Sequence, residues 1–97
     1  MNIAGRFLET ARRIPSSTCL VGPDDTPWTY EAVADRALRF AAFLRDHGVI
    51  AGDRVLLTFP NSVEYLIAYI GTLASGAVAT LVDHRAVARH VDFVRSD

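Results

Sequence analysis

The sequence contains no lysine: all ten of its basic residues are arginine. That absence excludes a Schiff-base lysine, a phosphate-loop lysine and a lysine that holds a transferring phosphoryl group. Cysteine is nearly absent too. Cys19 stands alone, so no intrachain disulfide can form, whereas a small secreted domain usually carries several. A cytoplasmic protein is the expectation. Neither sign of charge is in excess. Ten basic residues against eleven acidic ones leave a formal charge of −1, and no positive field exists to gather nucleic acid. The first thirteen residues lack the apolar stretch of a secretory signal. Ile3, Phe7, Leu8, Ala11 and Ile14 make an apolar stripe beside Arg6, Arg12 and Arg13, as in an organelle presequence. Glu9 speaks against that and favours a plain first helix.

What is present fits one small domain at most. The chain has 97 residues, 51 % of them hydrophobic and 22 % charged, which is globular composition. A domain of this size buries only about 60–65 % of its unfolded surface and is marginal without help.

Turn chemistry divides the chain. Gly22-Pro23-Asp24-Asp25-Thr26-Pro27 reads as a turn, and its flanks Thr18–Val21 and Pro27–Thr29 as a short hairpin. Thr29 is an N-cap candidate for the next helix. Its acidic residues Glu31 and Asp35 stand early and Arg39 and Arg45 late, as the helix dipole prefers. Val33, Ala37, Phe40, Ala41 and Leu44 form its predicted buried stripe. Gly48 is the expected C′ residue, with Val49 closing the end.

After the turn Ala51-Gly52-Asp53, the run Arg54–Phe59 suits a buried parallel strand, which Pro60 stops. Asn61-Ser62-Val63-Glu64 has the form of a capping box. A helix to about Ser75, ended by Gly76, and a strand at Ala77–Val82 complete a βαβ unit. A last amphipathic helix is predicted at Ala86–Arg95, with Val87, His90, Val91 and Val94 on one side. The helix over 62–75 is apolar on nearly every face, a pattern that demands burial on all sides. The remaining elements cannot supply it, so the fold is incomplete on its own.

No chemical motif outweighs its structural reading. Tyr65–Val82 runs 18 residues without a charge, the length of a membrane-span candidate, and Arg85, Arg89 and Arg95 follow it. The capping box before it and the Ser75-Gly76 break inside it favour helix–turn–strand, so a membrane role is not expected. Gly71 and Gly76 have phosphate-loop spacing, but Ala77-Val78 replace the required residues and both glycines are read as ending a helix. His84 and His90 share no helical face, and Asp83 and Asp92 beside them do not complete a metal site. His47 reads as a helix-terminal charge and Cys19 as a small buried residue. Arg85, Arg89 and Arg95 are locally neutralised by Asp83, Asp92 and Asp97. No catalytic, cofactor-binding or metal residue is assigned.

A resemblance then becomes specific. Trp28-Thr29-Tyr30-Glu31, the stretch Ala37–Leu44, Gly48-Val49, Gly52-Asp53-Arg54-Val55, Pro60–Tyr65 and Leu73–Ala79 follow one another in order and spacing. Together they resemble the opening of AMP-forming ligases: acyl- and aryl-CoA synthetases and peptide-synthetase adenylation domains. The resemblance runs from Trp28 to Asp97 and leans toward the acyl-CoA synthetases. It implies an α/β fold, the βαβ-containing N-terminal layer of such an enzyme's large domain. Residues 1–97 would then be a partial N-terminal subdomain.

The family uses Mg-ATP to turn a carboxylic acid into an acyl-adenylate and passes the acyl group to coenzyme A or a carrier thiol. Its phosphate loop, nucleotide contacts and catalytic lysine lie beyond this segment. The 97-residue chain alone is therefore expected to be inactive and to bind no cofactor. Two departures from the family pattern stand out: Ala74 replaces a usual Lys, and Thr80 and His84 replace frequent prolines. Three readings follow: the N-terminal piece or split subunit of a ligase, a non-catalytic module derived from that family, and a single-span membrane protein. The expected partner is the rest of the ligase, or a second chain, covering helix 62–75.

Overall fold

The structure, a computed structural model, describes residues 3–57 and 63–81. It begins with helix α1 (Ile3–Arg13), followed by the strands β1 (Thr18–Val21) and β2 (Pro27–Thr29). Helix α2 (Tyr30–Asp46), strand β3 (Arg54–Leu57), helix α3 (Val63–Ala74) and strand β4 (Val78–Leu81) complete it.

The hairpin forms where turn chemistry places it. The Gly22 N–H donates to the Thr26 carbonyl at 2.9 Å and the Asp25 N–H to the Gly22 carbonyl at 3.0 Å. Asp25 takes φ +63°, which Asp tolerates better than most residues. The strands are antiparallel, and the register slips between Thr18 and Leu20, leaving Cys19 as the odd residue of a bulge.

Both ends of α2 are closed as the sequence predicts. The Thr29 hydroxyl accepts from the Ala32 N–H at 3.1 Å. The Tyr30 and Glu31 N–H groups donate to Ser17 and Pro15 carbonyls at 3.0 Å each, so the orphan amides of the first turn are satisfied by the α1–β1 connection. At the other end Gly48 (φ +88°) donates to Arg45 and Val49 to Leu44, a Schellman closure. Val33, Ala34, Ala37, Ala41 and Leu44 are buried, while Phe40 is only half-buried.

β3 and β4 are parallel neighbours in the register Arg54↔Val78 to Leu57↔Leu81, with α3 as the crossover. The βαβ unit is therefore present. The predicted strand extension Thr58–Phe59, Pro60, the cap residues Asn61 and Ser62, Val82 and the predicted helix Ala86–Arg95 lie outside the described residues. The link from α3 to β4 is pinned to the turn before β3. The Gly52 N–H donates to the Gly76 carbonyl at 3.0 Å and the Val78 N–H to the Asp53 carbonyl at 2.7 Å.

The core is a helical layer. Ala4, Ala37 and Ile70 sit at its centre, with Phe7, Leu66, Tyr69, Leu73 and Ala74 packed around them. α3 packs chiefly on α2 and also on α1. Three expectations need correction here. The stripe on α1 is anchored by Ala4 and Ala11, while Ile3 and Ile14 face solvent, because the helix is rotated toward its small residues. Gly71 does not end α3. It lies in the helix interior, where a Cβ would stand 2.6 Å from the Ala37 carbonyl oxygen and 3.0 Å from Phe40. Nor are the large apolar side chains of α3 exposed: they are buried or half-buried. The exposed ones are Ile3 on α1, Ile14 just after it, Val21 in β1, Leu38 and Phe43 on α2, Ile50 before β3 and Val78 in β4.

Candidate functional site

Each residue singled out from the sequence has a local explanation. Cys19 is half-buried at the hairpin bulge. Burial pushes its thiol pKa up, so the thiolate, the nucleophilic form, is disfavoured. The His47 ring lies 2.9 Å from the Phe43 carbonyl oxygen through Nδ1 and 4.1 Å from the Phe43 ring, capping the end of α2. Gly76 (φ +89°) turns the chain out of α3 and Gly71 admits α2. Neither precedes a helix, so neither cradles phosphate. Ala74 packs half-buried beside the core and Thr80 is exposed. Asp83, His84, Arg85, Arg89, His90, Asp92, Arg95 and Asp97 lie outside the described residues. Among the described residues no group of three His, Cys, Asp or Glu converges on a metal position, and no helix is long and apolar enough to cross a membrane.

The described residues also form surface grooves, three of which stand out. One of about 500 Å³ lies between α1 and α2, floored by Leu8, Ala11, Ala34 and Leu38 and rimmed by Arg12, Glu31 and Asp35. A second, about 390 Å³, lies between α2 and α3. The third, about 230 Å³, joins the hairpin loop to Val63 and Glu64. The second is the most distinctive chemically. Arg36, Phe40, Phe43 and His47 recur at i, i+4, i+7 and i+11 and so share one face of α2. The Phe40 and Phe43 rings are stacked at 6.0 Å and 13°, and Arg36 sits 5.7 Å from the centre of the Trp28 ring. Ile67 and Ala68 of α3 form the other wall, with Glu64 at its rim. From the sequence, Phe40 reads as part of a buried stripe and His47 as a helix-terminal charge, and the two are not joined to Arg36 and Phe43. The signal missed is the spacing of two phenylalanines and a histidine alongside two arginines.

The chain has no lysine, and among the described residues no glycine-rich loop precedes a helix.

Comparison with known proteins gives the class. The family model described as AMP-binding enzyme matches residues 7–97, and the chain belongs to that family. It is 36 % identical over 97 residues to the long-chain-fatty-acid–CoA ligase FadD13 of Mycobacterium tuberculosis, an alignment of 99 % of this chain with 19 % of that one. It is likewise 36 % identical over 94 residues to the salicyl-AMP ligase / salicyl-S-ArCP synthetase of the same organism, covering 86 % of this chain and 17 % of the relative. Among solved structures, the inhibitor-bound N-terminal domain of FACL13 from M. tuberculosis superposes with a TM-score of 0.87 at 35 % identity, over 98 % of this chain and 24 % of that one. The Klebsiella oxytoca NpsA N-terminal subdomain in complex with 3-hydroxybenzoyl-AMSN gives a TM-score of 0.85 at 28 % identity, over 97 % of this chain and 24 % of that one. The chain thus has the α/β fold of the N-terminal part of adenylate-forming enzymes. It spans about a fifth of the length of the curated relatives it matches.

Proposed function

We propose that this chain is the N-terminal structural part of an AMP-forming acid–thiol ligase, either one piece of a longer chain or one subunit of a split enzyme. In this reading residues 1–97 are a partial N-terminal subdomain, and the complete enzyme works in the cytoplasm. The observation that carries it is the family match over residues 7–97 combined with coverage of only 19 % of a relative. The complete enzyme joins a carboxylic acid to ATP as acyl-AMP, releasing pyrophosphate, and a thiol of coenzyme A or a carrier then displaces AMP. ATP, Mg and the thiol belong to the rest of that enzyme. The share of this chain is mechanical: the α1–α2–α3 layer and the βαβ unit support the substrate domain.

ATP–pyrophosphate exchange across a panel of fatty and aryl acids tests the reading. The chain alone gives no exchange, and the chain combined with the remaining ligase segment restores it. Exchange by the chain alone overturns the assignment of a purely structural role. Binding to an already complete ligase, with no gain in exchange, makes the chain a non-catalytic module instead.

A further inference from the structure

We draw no further inference here: the strongest candidate, the open groove between α2 and α3 lined by Phe40, Phe43 and Ile67, is an unpartnered apolar face, and nothing in the structure shows what covers it.

Discussion

Helix α3 takes part in both the α2–α3 crossing and the unit built on the β3–β4 ribbon, and the two are packed differently. At the crossing, Gly71 brings α3 against the Ala37 carbonyl and Phe40 so closely that a single added carbon would overlap them. Ala37 and Ile70 are almost wholly buried. Among the described residues the ribbon is covered mainly on one face. Leu57 is buried on the side that α3 packs against, while Arg54, Val78 and Thr80, which share the other face by register, are exposed. Parallel sheets are normally covered on both faces. One region is thus closed by its two helices, and the other keeps an open side among the described residues. That contrast matches a chain equivalent to about a fifth of its relatives.

The sharpest test of the contrast sets two residues of the ribbon against each other. Leu57→Ala removes a buried side chain on the covered face and costs about 2–5 kcal/mol. Val78→Ala on the open face changes stability by no more than about 0.5 kcal/mol. Urea unfolding of the 97-residue chain measures both. Equal losses would show that the second face is covered as well.

Next in size is the crossing itself. Gly71→Val places carbon where the Ala37 carbonyl stands, and overpacking of this kind costs about 1–3 kcal/mol. The midpoint should fall with the m-value unchanged. An unchanged midpoint would mean that α2 and α3 separate freely, and the tight approach would then not govern the fold. Thr29→Ala follows, because it leaves the Ala32 N–H without its side-chain acceptor, at about 1 kcal/mol. This loss is local to α2, so the thermal midpoint should drop while the Phe7–Tyr30 ring contact at 5.6 Å persists in nuclear Overhauser spectra.

These sites also mark what the sequence makes legible. The hairpin, both ends of α2 and the βαβ order were readable because each is signalled within a few residues: Pro-Asp-Asp, Thr29, Gly48-Val49, Gly52-Asp53. The family was readable because six short segments keep their order. Other features depend on how helices rotate against one another. Ala4 and Gly71 carry no hydrophobic signal, yet small size is what lets the neighbouring helix approach. Ile3 and Ile14 carry a strong signal and still face solvent. The bulge at Cys19 is a choice of register between two strands, which alternation along one strand cannot reveal. The Phe40–Phe43–His47 ledge was written in the spacing, but its exposure was not, since a stripe of aromatics reads as core until its neighbours are known.

The smallest effect belongs to the hairpin loop, whose residues 23–27 are exposed. Asp24 accepts from the Thr26 hydroxyl at 2.8 Å and from the Thr26 N–H at 3.2 Å. The hydroxyl first, and the amide second, hold its carboxyl below the usual range. The folded form therefore prefers the ionised group. Its contribution to stability is fully present above the unfolded value of about 3.9 and fades as pH falls through the lower folded value. Asp24 is exposed, so the change in global stability is slight, and the place to look is the loop. The Thr26 amide resonance should titrate below pH 4 in the wild-type chain and lose that titration in Asp24→Ala. The amides of Ala37 and Ile70 should stay still across the same range, because neither they nor Phe40 and Gly71 around them can ionise. Movement of those core amides in step with Thr26 would mean that the loop and the helix crossing unfold as one unit, and the difference between a locally closed turn and a tertiary crossing would disappear.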